Sequence, residues 1–425
     1  MKITMVMGKA SHSMGTFVAS LSSTLAAKGH DVQIIAEPTS AKLYRLKNVL
    51  PLWIVKPRRL FLMGTNLRRL RRAQDVLKNS DVIHVHGLKA ALYVLVLTMF
   101  VPNTPPLLVS LYELNDERRD TFWRQLLFRW MDNRASLISG SSLRLTAKID
   151  RQSSADTDSA VSFLVSPRVE KLLQTGMLNR KERVGNWAKL AAAERLRNRG
   201  QLVLGIGPIE QEKRFDRFVR AMQRVTYPAT GVVIGDGDPQ LLAGLRSYGS
   251  DAQVSFLGWR KSLDAWLQAA SVLVITSEWE SRGFIAQEAM SLGLPIVAAP
   301  VGKLRDILLP AGVAMDSQQG ENLVGGEQTA GQSHDSDLGI GSLVVDTDDA
   351  EATAQAITKL LANPSIWYEK QESARHRATT WPTTDQVANE WLGFYRRSLA
   401  GQNQRTTKSS PILQTGEQKL SLIHI

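Results

Sequence analysis

The 425-residue chain has 43% apolar and 22% charged residues, no cysteine, and a formal net charge of +12 with an isoelectric point near 9.8. Absence of cysteine excludes a disulfide scaffold, a zinc-thiolate centre and a thiol nucleophile, so any chemistry rests on Asp, Glu, His, Lys or Arg. The length exceeds one ordinary core, which predicts two domains with a ligand-sized cleft between them, and the basic excess points to an anionic partner.

Met1 leads directly into ITMVM, a strand signal without the order of a secretory leader, so a cytoplasmic location is expected. The loop GKASHSMG follows, then an amphipathic run with Phe17, Leu21 and Leu25 on one face, a helix stop at Gly29, and the strand VQIIA. This is a βαβ unit. The next segment is strongly basic: Lys56, Arg58 and Arg59 precede NLRRLRRAQDVLKN, where Arg68, Arg69, Arg71, Arg72 and Lys78 surround a stripe of Leu67, Leu70 and Leu77. Two readings stand, a solvated helix face or a patch for an anionic membrane surface. Nucleic acid is not expected, because no helix-turn-helix, zinc or aromatic ribonucleoprotein pattern accompanies the charge.

DVIHVHG, PPLLVSLYE and ASLISGSS supply further strands; the apolar run from Ala90 to Val101 is shorter than the roughly 20 residues of a spanning helix and reads as a buried one. From Ser153 to about Gly200 the pattern loosens. A second, more regular series then begins: QLVLGIG, FDRFVRAMQRV, GVVIGDG, QVSFLG, SLDAWLQAA, VLVITS, IAQEAMSLG and PIVAAP. Such alternation predicts an α/β fold of two doubly wound, Rossmann-like parallel-sheet domains. The boundaries are set at 1–165 for the first domain, 166–200 for the connection and 201–380 for the second domain, which holds a polar insertion at 316–341. A helix over 381–400 is expected to pack back towards the first domain, and 401–425 is expected to be disordered.

The segment SEWESRGFIAQEAMSLGLPIVAAPVG carries the sharpest chemical signal. Glu280 lies in the loop after a strand, Gly283 where a helix should begin, and Glu288 on that helix. A helix start reached through glycine offers N–H groups and partial positive charge to a phosphate, and a carboxylate further along can accept both hydroxyls of a ribose. The alternative is that Glu280 caps the helix and Glu288 faces solvent. His86, ending its strand, reads either as a buried histidine or as a group facing a reacting centre, with His84 assigned to the opposite face as packing. Asp236 with Asp238, and Asp346 with Asp348, have the spacing of a metal-binding pair, yet each sits at a turn or helix start, so no metal is expected.

Embedded as S-x-x-E-x-x-G-F and followed by E-A-M-x-x-G-x-P-I-V-A, the carboxylate pair resembles the signature of family 4 glycosyltransferases. LAAKGHDVQIIA, DVIHVHG, GVVIGDG, QVSFLG and ASVLVITS match that family's other motifs in order. The resemblance implies a GT-B fold and a nucleotide-sugar donor, with no other cofactor. By the same resemblance, Glu288 would hold the donor ribose, Glu280 would lie beside the transferred sugar, and Gly283 and Phe284 would present N–H groups to the diphosphate. Gly15, Gly207 and Gly235 would line the donor loops, Lys213 would supply a cation, and His86 would face the reacting centre. Three departures stand out: Pro208 replaces an expected arginine, with Arg214 or Arg282 as substitutes; Tyr112 replaces a histidine; and VSPRVE replaces I-P-N-G-V-D. Transfer with retention, by same-face attack assisted by the departing phosphate, onto a glycan or lipid-linked acceptor of cell-envelope polysaccharide synthesis is the expectation. The alternatives are a GT-B epimerase, or a non-catalytic GT-B subunit assisting an active transferase.

Overall fold

A computed structural model describes residues 1–9, 12–52, 67–99, 101, 103–112, 122–142, 145–147, 149, 158–161, 165–249, 254–310 and 339–408. The first half runs β1 (Lys2–Met7), α1 (His12–Ala27), β2 (Asp31–Ala36), α2 (Pro38–Leu43), β3 (Val49–Pro51), α3 (Leu67–Lys78), β4 (Val82–His86), α4 (Leu88–Thr98), β5 (Leu107–Leu111), α5 (Phe122–Arg134), β6 (Ala135–Gly140) and β7 (Asp158–Val161). Two helices, α6 (Val169–Gln174) and α7 (Arg180–Ala193), lead into the second half. That half runs β8 (Gln201–Ile206), α8 (Phe215–Met222), β9 (Ala229–Ile234), α9 (Pro239–Gly249), β10 (Val254–Phe256), α10 (Asp264–Ala269), β11 (Val272–Ile275), α11 (Phe284–Ser291), β12 (Ile296–Ala298), α12 (Lys303–Leu308), β13 (Ser342–Val344) and α13 (Ala350–Ala362). Helices α14 (Pro364–Thr379) and α15 (Thr384–Lys408) follow.

The strands form a seven-stranded sheet in the order β3-β2-β1-β4-β5-β6-β7 and a six-stranded sheet in the order β10-β9-β8-β11-β12-β13, with every strand pair parallel. Helices cover both faces, so β4, β5, β9 and β11 are buried along their whole length and read as near-continuous apolar runs. This is the GT-B architecture of two doubly wound domains. Strand order reverses between β1 and β4 in one sheet and between β8 and β11 in the other, and ligands of such sheets bind outside the strand carboxyl ends at those reversals.

Three expectations need correction. Within the stretch from Ser153 to about Gly200 that was expected to loosen, the described residues form firm helices: an Asn179–Glu182 capping box starts α7 with hydrogen bonds of 3.0 and 2.7 Å. Arg183, fully buried, then fixes α7 to the second domain by donating to the carbonyl oxygens of Leu267 (2.8 Å) and Ala270 (3.1 Å). Secondly, the last helix does not stop near residue 400 but continues to Lys408. Thirdly, His84 and His86 share one face of β4, with ring centroids 4.1 Å apart, because side chains two apart in a strand point the same way. The packing role of His84 stands: Trp391 of α15 stacks on it at 4.1 Å, and its Nδ1 shares a 2.8 Å hydrogen bond with the Tyr395 hydroxyl. Helix α15 thereby returns to the first sheet. Most of the 316–341 insertion, the basic residues before α3 and the chain beyond Lys408 lie outside the described residues.

Candidate active site

The second-domain side of the candidate site is built on the carboxyl ends of β8, β9 and β11. Gly207 donates its N–H to the Ile234 oxygen at 3.0 Å, and a Cβ on Gly235 would stand 1.7 Å from the Gly207 oxygen, so only glycine lets these two turns touch. Lys213, packed against Gly207, ends a short 3₁₀ turn, Gln211–Lys213, and its ammonium pairs with Glu280. Glu280 also accepts from the Ser277 hydroxyl at 2.7 Å, and Thr276 donates to the Lys213 oxygen at 2.9 Å. Two loops are thus locked side by side.

Gly283 caps α11 with φ of +60°, a conformation that costs an L-residue about 1–2 kcal/mol, and an added Cβ would lie 2.6 Å from Ile307 Cδ1. The first intrahelical bond runs from the Gln287 N–H to the Gly283 oxygen. The N–H groups of Phe284, Ile285 and Ala286 therefore have no partner within the helix, which is how a helix start presents itself to an anion. One turn further, Glu288 is 7% exposed. Glu288 therefore does not face solvent, and the start of α11 carries no side-chain cap from Glu280. The Ser166 hydroxyl donates to its Oε1 at 2.7 Å, and Arg168 bridges it to Asp264. Burial raises the Glu288 pKa, and Arg168 and Ser166 pull it back.

On the facing side, Gly15 lies against the Tyr44 ring so closely that a Cβ would sit 2.1 Å from it, and Met14 reaches to within 3.5 Å of where a Cβ on Gly87 would stand. His86 shares a 2.6 Å hydrogen bond between Nδ1 and the Tyr112 hydroxyl, while its buried Nε2 meets no hydrogen-bond partner among the described residues. Burial, with the Arg282 charge adding to it, lowers the His86 pKa to about 3, so the ring is neutral. Burial pushes Tyr112 up to about 12 against the pull of Arg282. Arg282 joins the halves: its guanidinium stands 3.7 Å over the Tyr112 ring, a cation–π contact between the loop after β11 and the residue after β5.

Lys213, Glu280, Gly283, Phe284 and Glu288 thus cluster with Gly207 and Gly235 on one side of the cleft, and Gly15 and His86 stand on the other. The two arginines weighed against Pro208 differ in place. Arg214 is drawn into a surface network with Asp216 (3.0 Å) and Glu278 (2.5 Å), and neighbouring Arg217 binds Asp348 at 3.0 Å; Arg282 is fully buried against Tyr112. Asp238 caps α9 through the N–H groups of Gln240 (2.8 Å) and Leu241 (3.1 Å), and Asp346 accepts from Asp348 N–H at 2.9 Å. Ser166, Arg168 and Asp264 were not found by sequence reasoning. The only signal was that VSPRVE departs from the pattern of its relatives at the residues that meet Glu288.

Two family models match the chain, "Glycosyltransferase Family 4" over residues 14–142 and "Glycosyl transferases group 1" over residues 200–363. Among similar proteins, the D-inositol 3-phosphate glycosyltransferase of Mycobacteroides abscessus is 29% identical over 226 residues, 51% of this chain and 44% of that protein. The glycogen synthase of Mycobacterium tuberculosis is 23% identical over 434 residues, 92% of each chain. The chain spans less than half the length of relatives such as the first. Among solved structures, Anabaena HepE in complex with UDP and glucose superposes with a TM-score of 0.70 at 13% identity, over 93% of this chain and 100% of that one. The chain has the GT-B fold. More narrowly, its two halves match glycosyltransferase domain models of the family 4 and group 1 type.

Proposed function

We propose that this transferase moves a sugar from a nucleoside-diphosphate-sugar donor to a glycan or lipid-linked acceptor with retention of anomeric configuration, in the synthesis of a cell-envelope polysaccharide. The observation that carries the reading is α11, where one short helix combines a glycine-led start behind the Lys213–Glu280 pair with a buried carboxylate a turn later. In this reading the diphosphate rests on the Phe284 end of α11 and beside Lys213. The ribose diol binds Glu288, taking over hydrogen bonds now made by Ser166 and Arg168.

Negative charge grows on the diphosphate as the anomeric bond breaks, so fixed N–H groups and a cation stabilise the transition state more than the ground state. Same-face attack hands the acceptor proton to the departing phosphate oxygen, and the protein's work is positioning and charge stabilisation. Neutral His86 can offer a hydrogen bond at the facing wall, but its remaining N–H is far too weak an acid to protonate a leaving group. HepE was crystallised with UDP and glucose, which supports the donor class.

Thermal shift against UDP, GDP, ADP and their glucose and mannose conjugates, with wild type beside Glu288→Ala, tests the reading. Stabilisation of wild type alone is expected; no shift with any nucleotide would overturn it. Retention is read by NMR of the product's anomeric coupling, and inversion would contradict the mechanism. Among the described residues no helix is long and apolar enough to cross a membrane. Arg68, Arg69, Arg71 and Arg72 are all exposed on α3, whose Leu77 is buried against the first domain, which supports contact with an anionic membrane surface. Reversing these four charges should abolish co-sedimentation with phosphatidylglycerol vesicles, and unchanged binding would count against it.

A further inference from the structure

Both oxygens of the carboxylate that would receive the ribose diol already have partners. The Ser166 hydroxyl donates to Glu288 Oε1 at 2.7 Å, and an Arg168 guanidinium N–H donates to Oε2. An ionised carboxylate can only accept, so these two donors stand where two ribose hydroxyls would have to stand. The same stretch is fastened twice more: the Ser166 N–H donates to Gln287 Oε1 at 2.7 Å, and the other terminal nitrogen of Arg168 donates to Asp264. Ser166 is fully buried, whereas the Arg168 side chain is 35% exposed and within reach of water.

Residues 166–168 lie on the passage between the domains. The first sheet ends at β7, buried Val165 and Val169 flank the stretch, and Arg168 is the N-cap of α6. The return passage meets the same place, because Glu170 in the first turn of α6 accepts the Thr384 N–H that opens α15. Both chain crossings are thus tied to α6, and α6 is tied through Ser166 and Arg168 to Glu288. A ligand that uses Glu288 has to break those contacts, so its apparent affinity falls with the fraction of molecules in which they are intact. By linkage, the bound ligand weakens the hold on 166–168 by the same factor.

We propose that Ser166 and Arg168 are a latch on the ribose site. Without ligand they hold Glu288 and keep the crossing between the domains against α11; a nucleoside takes the carboxylate with its two hydroxyls and frees that crossing to move. The inference rests on the donor reading above and adds a regulation of the same site. The exchange is close to balanced. Glu288 swaps two protein donors for two ligand donors, and Arg168 keeps Asp264 and water as partners, so no buried charge is left unpaired.

Calorimetry with UDP, GDP and ADP on wild type, Arg168→Ala, Arg168→Lys and Ser166→Ala, beside Glu288→Ala, is the test. Removing a competitor should tighten binding, the opposite of removing a group that binds the ligand. Arg168→Ala should bind the preferred nucleotide about fivefold to tenfold more tightly, the scale of a partly exposed, charge-assisted pair. Ser166→Ala should gain about twofold to fivefold, and Arg168→Lys should fall between wild type and Arg168→Ala. The same nucleotide should quicken hydrogen exchange of wild type across residues 166–174, which in Arg168→Ala should be fast already. Unchanged or weakened binding in Arg168→Ala overturns the latch and leaves the donor reading standing; should that variant not fold, the same result in Ser166→Ala does so. Slower exchange across 166–174 on binding also overturns the latch alone. A wild type that binds none of the nucleotides, or a Glu288→Ala variant that binds as tightly as wild type, overturns the donor reading and the latch with it.

Discussion

Replacing Glu288 with Gln separates a binding carboxylate from a structural one. The residue is 7% exposed and burial is the largest influence on its carboxyl, raising its pKa above the ordinary value. A carboxyl whose folded-state pKa lies above its unfolded value binds its proton more tightly when folded. Its ionised form is therefore the costly one at neutral pH, and stability is gained as pH falls through the folded pKa towards the unfolded one. Glutamine is a permanent copy of the neutral form. It removes the burial cost of the charge and gives up one partner of Arg168, which keeps Asp264. The unliganded melting temperature at pH 7 should therefore stay close to wild type or rise, and its increase on acidification should flatten. Binding should move the other way. Two ribose hydroxyls donating to a carboxylate lose about 1.5–3 kcal/mol when the charge goes, so affinity should fall roughly tenfold to a hundredfold. Scanning fluorimetry between pH 5 and 8 and calorimetry with the best nucleotide read both quantities. A fall of many degrees in melting temperature with unchanged affinity would refute the reasoning and make Glu288 a structural anchor for Arg168.

Three further outcomes follow from the geometry. His86, held near a pKa of 3, should show no NMR titration between pH 5 and 8 and no inflection in kcat there; because its folded pKa lies below the unfolded value, it withdraws stability as pH falls below about 6.5, and titration near 6.5 would contradict its burial. Gly283→Ala forces φ of +60° on an L-residue with its Cβ 2.6 Å from Ile307, so nucleotide affinity should drop by about tenfold or more in calorimetry, and full affinity would argue against a phosphate at this helix start. Trp391→Ala removes a fully buried ring stacked on His84 and should cost about 3–5 kcal/mol, read as faster hydrogen exchange along α15; unchanged exchange would mean that other contacts hold the helix.

Much of this architecture was readable along the chain because it is local. The second domain announces itself in short apolar runs such as VLVI and IVA, each buried on both faces of its strand, and in the SEWESRGF loop that leads into α11. What escaped reading lies in long-range pairs. Ser166 and Arg168 meet Glu288 from 122 and 120 residues away, and no periodicity encodes such a meeting. The Arg282–Tyr112 contact is of the same kind: sequence marked Tyr112 as a departure and Arg282 as a substitute cation but could not bring them together. Helix α7 is a different case, since Asn179 and Glu182 formed a legible start signal that the polar composition around them obscured. The pairing of His84 with His86 was within reach too, because a period of two puts both rings on one face.

The central claim is that α11 grips the donor diphosphate at its amino end and the ribose at Glu288. A crystal structure of the protein with the nucleoside diphosphate that stabilises it most tests this directly. The account predicts phosphate oxygens on the N–H groups at Phe284 and beside Lys213, with the ribose hydroxyls on Glu288 in place of Ser166 or Arg168. A nucleotide bound away from this helix, with Glu288 still held by Ser166 and Arg168, would contradict it.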